Sequence, residues 1–401
     1  MNFSIYETLM LACLVLLLGR FIVNRVAFFQ KYNIPEPVVG GFIIAVISWI
    51  IYSVFDVELV FHEGFQQGMM LIFFSCIGLN ADFARLLKGG KALIIFLGVA
   101  AVFIFCQDLL GVILAKLLNL DARFGLVAGS ISLTGGHGTA GGWADDFMSS
   151  ASPLYAAKEI GMACATFGLI FGGILGGPLA YRLLKKNNIP ELSKEEIAKQ
   201  MDTHEIMEEQ VAKSRPSYRT IFETVAMLSI CLVIGLYISD WNSQYRFKLP
   251  TFVWCLFIGI MIRNLLSHAF KREVNNESID IVGNIGLSLF LATALMSLQL
   301  WLIVNLALPI MVMLFFQVVL MWVYAYYITY WAMGKDYDAI VLSAGHCGFG
   351  LGATATAVAN IQAVTNRFGH SFKSFLIIPM VGAFFIDILN ALILNIFVTF
   401  I

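Results

Sequence analysis

Ionisable side chains are scarce in this chain. Of its 401 residues only 13% are Asp, Glu, Lys or Arg, where a soluble domain carries about a quarter. The 25 basic and 26 acidic residues nearly cancel, so no basic surplus points to nucleic acid as a partner. No Lys or Arg falls firmly at the middle of a long apolar run, so an anionic ligand there must be held by backbone N–H groups and hydroxyls. A Walker sequence is missing, which excludes ATP hydrolysis on this chain, and zinc-protease spacing is missing too. The seven cysteines show no paired metal-ligand spacing and read as small core residues. The N-terminus has neither a basic leader nor a cleavage site, so its first apolar run is expected to be a span. These absences argue against an enzyme and against a catalytic cofactor.

Hydrophobic residues make up 59% of the sequence, and the mean hydropathy is +0.84. Apolar runs of bilayer-crossing length recur throughout, which predicts an all-α polytopic membrane protein. The expected spans are 5–23, 38–55, 64–80, 92–118 and 159–184, then 221–239, 251–266, 281–298, 302–333 and 372–400. Glycine-rich apolar segments at about 124–143 and 339–364 are too interrupted for ordinary helices. Inside a bilayer such breaks survive only where protein or a watery cavity covers them. Residues 187–219 are polar and read as a linker between an N-terminal half, 1–186, and a C-terminal half, 220–401. Basic clusters at Arg20 and Arg25, at Arg85, Lys88 and Lys91, at Lys185 and Lys186, and at Arg263 and Arg272 fall on one side, the cytoplasm by the positive-inside rule. If each broken segment enters and leaves on one side, each half has five crossings and the halves are inverted. Both termini then lie outside and the central loop lies inside.

Two motifs carry the chemistry. Gly135-Gly136-His137-Gly138-Thr139 sits in the first broken segment. Gly345-His346-Cys347-Gly348-Phe349-Gly350 sits in the second, its histidine 209 residues downstream (346 minus 137). Pro35 and Pro250, which open the second span of each half, are 215 apart (250 minus 35), a further trace of duplication. Free N–H groups at a half-helix start suit a carboxylate, and facing carbonyls suit a bare cation. The histidines are read as equivalent, each bracing its turn or donating to a ligand. Thr134, Thr139 and Thr354 offer hydroxyls beside them. Asp387, deep in the last span, with Asn390 one turn on, is the leading intramembrane acid. Asp108 is secondary, because with Gln107 it can approach the outer interface. Asn80 caps or binds at the end of the third span, and Ser75 lines a path or satisfies its own helix. Trp143, Trp241, Trp301 and Trp331 read as interface anchors.

Long stretches of the chain resemble the bacterial sodium/glutamate symporters. They include Ile34-Pro35-Glu36-Pro37-Val38-Val39-Gly40-Gly41, Gly78-Leu79-Asn80-Ala81, the first glycine–histidine cluster and Met162-Ala163-Cys164-Ala165-Thr166-Phe167-Gly168. The cluster continuing to Thr354 and Pro379-Met380-Val381-Gly382-Ala383-Phe384-Phe385-Ile386-Asp387 complete the likeness. Thr354-Ala355-Thr356 departs from the pattern, which has a proline between the threonines. The resemblance implies sodium-driven uptake of L-glutamate by alternating access across the bacterial inner membrane, in two inverted five-span halves with re-entrant segments, paired as a homodimer in lipid. Substrate contacts would fall on Thr134 to Thr139, Gly345 to Gly350 and Thr354. Asp387, Asn390, Asn80, Ser75 and Thr166 are the candidate contacts of the co-transported Na⁺. The alternatives are a sodium symporter for another small carboxylate and a cation/proton antiporter using Asp387.

Overall fold

A computed structural model describes residues 1–31, 34–81, 83–148, 152–189, 216–242, 249–270, 272, 274–302 and 306–401. Most of the expected linker, residues 190–215, lies outside the described residues. Everything described is helical apart from turns and one isolated bridge between Asn2 and Val60. Among the described residues eight helices are long and apolar enough to cross a bilayer, so the chain is a multi-pass membrane protein.

Helix boundaries follow from local signals. α1 (Ile5–Val23) opens with a capping box, Ser4 accepting from the Glu7 N–H while the Glu7 carboxylate accepts from the Ser4 N–H at 2.7 Å. α2 (Glu36–Phe55) and α9 (Thr251–Asn264) each follow a proline, Pro35 and Pro250, whose fixed φ favours a helix start. α3 (Glu63–Asn80) is capped by the His62 Nδ1, which accepts from the Phe65 N–H. α4 (Phe83–Leu117) is kinked at Gly90, leaving Gly90–Leu117 as the spanning part. α7 (Ala157–Lys186), α8 (Tyr218–Asn242) and α10 (Asn276–Met296) are continuous spans. α11 (Ala307–Val323) runs through a π-helical turn, Tyr324–Thr329, to Ala332. The last expected span is two helices, α14 (Phe372–Met380) and α15 (Ile386–Phe400), joined by a π-helical stretch at Val381–Phe385. α3 falls outside the eight, carrying Gln66, Gln67, Ser75 and Asn80 along 18 residues.

These helices sort into two bundles. α1, α2 and α3 pack with α8, α9 and α10. α4 and α7 pack with α11, α14, α15 and the two broken segments. Each bundle therefore takes helices from both ends of the chain. Without water in the bilayer core, such packing rests on close van der Waals fit and on small residues that let backbones approach. Gly168 is the sharpest case. A Cβ there would lie 1.9 Å from the Leu351 carbonyl oxygen, so only glycine lets α7 reach the second broken segment.

Packing revises one sequence expectation about aromatics. Trp241 and Trp331 are exposed, as interface anchors must be, and Trp301 stacks on Tyr52 at 4.2 Å. Trp143 is instead 1% exposed and sits within the main core. It belongs to the second limb of the first broken segment, which is enclosed by other helices rather than by the interface.

Candidate functional site

The first broken segment begins with α5 (Ala122–Leu126), started by the Asp121 carboxylate accepting from the Arg123 N–H at 2.9 Å. It passes into a π-helical turn, Val127–Ile131, where Gly129 leaves helical geometry at φ −100°, ψ −131°. The chain then turns through 132–135 and starts again as α6 (Gly136–Met148). Gly136 has φ +67°, a left-handed conformation that a side chain would strain. The second broken segment is α12 (Tyr337–Leu351), a break at Gly352 and the extended Ala353, then α13 (Thr354–Phe368). The two breaks meet. A Cβ on Gly136 would stand 3.7 Å from the Gly352 carbonyl oxygen, and the Thr134 hydroxyl lies 3.1 Å from the Gly350 carbonyl.

A cavity of about 600 Å³ lies between the bundles at this meeting point. One wall is Phe73, Phe74 and Asn80 of α3 with Asp280, Asn284 and Leu287 of α10. The other is Thr134 to Gly138, Phe349, Gly352 to Ala355 and Asp387. Exposed Asp280 and Asn284 mark its mouth, where Asn80 donates to Asp280 at 2.7 Å. The Arg263 and Arg272 side of the molecule is the same end, because Asn264 donates to the Ala81 carbonyl and Arg263 to Asn276. At the other end α6 is pressed against aromatic rings. Cβ atoms on Gly141 and Gly142 would fall 2.4 Å from Phe290 and 2.5 Å from Phe252. Beyond them, Lys158 donates to Gln66 at 2.8 Å and the Gln299 N–H to Glu159 at 3.2 Å, tying α7 to the opposite bundle.

The expected site residues divide. Thr134, Gly135, Gly136, His137, Gly138, Phe349, Thr354, Asn80 and Asp387 line the cavity. Gly345, His346, Cys347, Gly348 and Gly350 are buried inside α12, and Thr139 is buried one turn into α6. Ser75 is buried and donates to the Leu71 carbonyl of its own helix at 2.8 Å. Thr166 bonds the His137 ring from outside the cavity lining, and Asn390 is fully buried one turn beyond Asp387 on α15.

The histidines are not equivalent. His137 is in the first turn of α6 and faces the cavity, its Nε2 3.0 Å from the Thr166 hydroxyl. Thr166 donates its own proton to the Met162 carbonyl, so its oxygen accepts from Nε2–H and leaves the Nδ1 of a neutral ring as an acceptor. His346 is in mid-helix, six residues before the second break, and fully buried. Thr329 bonds its Nδ1 at 2.8 Å, and Phe96, Phe103, Tyr324 and Phe349 surround the ring. The Gly-His pairing by sequence thus misaligned the breaks by several residues, because Gly345, Gly348 and Gly350 serve to pack α12 against Ile378, Ala357 and Met321 of neighbouring helices.

Asp108 lies deep in the protein behind the first break. It is 0% exposed, as is Gln107. Its carboxylate accepts from the Ser130 N–H at 3.1 Å and lies 3.0 Å from the Ser130 hydroxyl. Ser130, Gln107 and Gln317 are buried beside it, with no signal in the sequence beyond single polar letters in apolar runs.

A helical membrane protein with two interrupted helices meeting at a central cavity has the build of a secondary transporter. The chain belongs to the sodium/glutamate symporter family, whose model matches residues 1–370. It is 51% identical over 395 residues to the sodium/glutamate symporter of Haemophilus influenzae, covering 98% of this chain and 97% of that one. It is 44% identical over 390 residues to the sodium/glutamate symporter of Escherichia coli, covering 97% and 96%. It is a transporter of the bacterial inner membrane, not an enzyme.

Proposed function

We propose that this chain carries L-glutamate into the cell together with Na⁺, by alternating exposure of the cavity between its bundles. The observation that carries this reading is the pair of half-helix N-termini, at Gly136 and at Thr354, that open into one cavity beside Asp387. Glutamate has two carboxylates and one ammonium. Each helix start supplies unpaired N–H groups and the positive end of a helix dipole to one carboxylate. Asp387 takes the ammonium, with the Thr354 hydroxyl and His137 Nδ1 completing the polar contacts. Both relatives above carry the name sodium/glutamate symporter, which supports the substrate and the ion. Na⁺ offsets the charge of the anion, and its inward gradient and the membrane potential drive uptake, about 2.3 kcal/mol per charge per 100 mV.

The architecture is read as two inverted repeats of five spans, 1–186 and 220–401, each with a re-entrant segment, about 124–143 and 339–364. The matching order of elements supports it: three helices to one bundle, then a long helix, a broken segment and a last helix to the other, in each half. Residues 187–219 join the halves in the cytoplasm, and both termini are periplasmic. With the basic clusters inside, the mouth at Asp280 and Asn284 faces the cytoplasm and the Lys158–Gln66 end is shut, an inward-facing state. The transporter works as a homodimer, checked by light scattering of the detergent-solubilised protein.

Purified protein in liposomes tests the reading. Glutamate uptake that requires an imposed Na⁺ gradient supports it, with aspartate, D-glutamate and citrate as competitors to define the substrate. Uptake of another carboxylate in preference to glutamate rejects the substrate, and uptake indifferent to Na⁺ rejects the mechanism.

A further inference from the structure

The buried cluster behind the first break contains more oxygens than protons to bond them. Ser130 has one hydroxyl proton, yet its oxygen lies 3.0 Å from Asp108 Oδ2 and 2.7 Å from Asn390 Oδ1. Inverting the Asn390 amide does not cure this. Asn390 Nδ2 already donates to the Ser130 carbonyl at 3.1 Å, and inversion would set two carbonyl oxygens against each other there. Among the described residues no Lys or Arg pairs with Asp108, whose partners are both on Ser130. Gln317, fully buried alongside, donates to the Gln107 carbonyl at 2.8 Å and leaves its Oε1 without a hydrogen-bond partner. Asp108, Ser130, Asn390 and Gln317 are each 0% exposed. An unpaired carboxylate and surplus oxygens at that depth are costly unless a proton or a cation joins them, and the Na⁺-coupled reading favours the cation.

We infer that Asp108, Ser130 and Asn390 form a Na⁺ site, separate from the substrate cavity and behind its wall. The inference rests on the Na⁺-coupled reading above and gives that reading a place and a linkage. Hard oxygen donors, one of them anionic, suit an alkali cation, and bound Na⁺ removes the repulsion that the single Ser130 proton leaves. The linkage runs through Ser130 and Asn390. The Ser130 carbonyl accepts from the Gly135 N–H at 2.8 Å, which fixes the turn that presents Gly135 and Gly136 to the cavity. A Cβ on Gly135 would lie 2.7 Å from Asn390 Nδ2, and Asn390 is one turn beyond Asp387 on α15. Na⁺ at this site therefore orders both the helix start and the acid that meet the substrate, so the ion binds first and glutamate affinity follows it.

Radioactive Na⁺ binding to the purified, glutamate-free transporter tests this, with Asp108→Asn and Ser130→Ala as variants and thermal unfolding as the check on folding. Wild type should bind Na⁺. Asp108→Asn should raise half-saturation at least tenfold, and Ser130→Ala should raise it by a smaller factor. The same variants should shift the Na⁺ concentration that half-maximally supports glutamate binding by matching factors. A folded Asp108→Asn protein with wild-type Na⁺ half-saturation would overturn the site. If that variant does not fold, wild-type half-saturation in Ser130→Ala overturns it. Wild-type protein that binds no Na⁺ but releases a proton through Asp108 on binding glutamate would also overturn it, as a proton site. Failure of the transport reading looks different: wild type then binds Na⁺ as described yet takes up no glutamate.

Discussion

At the scale of single residues, the two histidines separate function from packing. His137→Ala removes a cavity-facing ring held by Thr166, and the loss of about 1.4 kcal/mol corresponds to a tenfold rise in half-saturating glutamate. His346→Ala should leave glutamate affinity within twofold and lower the unfolding temperature, because it empties a fully buried aromatic cage and strands the Thr329 hydroxyl. Substrate titration and thermal unfolding on the two variants check the contrast, and equal effects on affinity would refute it. Asp387→Ala should weaken glutamate binding by about thirtyfold or more, since removing one partner of a desolvated charge pair costs roughly 2–5 kcal/mol. Asp387 was legible in the sequence, being an acid far inside an apolar run. Asp108 was equally apolar in context, but its burial comes from α5 and α15 packing onto α4, which no local pattern shows.

At the scale of elements, the broken helices decide what the site presents. Glycine runs announced both broken segments, yet they did not fix the residue at which each helix stops. The first break falls beside its histidine because Gly136 takes a left-handed conformation there. The second falls at Gly352, where the chain must clear Gly168 of α7. Gly136→Ala meets no clash, only an ordinary 3.7 Å contact with the Gly352 carbonyl oxygen, but has the wrong φ, and left-handed backbone costs an L residue about 1–2 kcal/mol. It should therefore fold and bind glutamate several-fold more weakly. Gly168→Ala collides with the Leu351 carbonyl and should cut both expression and thermal stability. Binding isotherms and unfolding curves distinguish the two, and a stable, fully active Gly168→Ala protein would show that α7 does not need this approach. Helix starts carried local signals that the hydropathy pattern did not use: Ser4, Asp121, Asn275 and Asp336 are of the residue types that favour an N-cap and do cap, whereas His62 caps without being one of them.

At the scale of the whole molecule, eight of the ten expected spans are matched, among the described residues, by helices long and apolar enough to cross, because a bilayer leaves helices little choice, while 64–80 and the divided 372–400 are not among the eight. The division into two bundles was not legible in the sequence, since it depends on which distant helices pair. That division places the cavity, and the cavity gives the state of the molecule a direction. Ala355 is exposed and lines the open side. In a cysteine-free background, Ala355→Cys should react with a membrane-impermeant thiol reagent supplied from the cytoplasmic face, and Na⁺ with glutamate should protect it. Reaction from the periplasmic face alone would reverse the proposed orientation. Coupling itself is tested most directly by glutamate uptake into proteoliposomes with the Na⁺ gradient, proton gradient and membrane potential imposed independently. The predicted result is accumulation whenever Na⁺ is higher outside, unchanged by the proton gradient. Accumulation driven by protons with Na⁺ equal on both sides would contradict it.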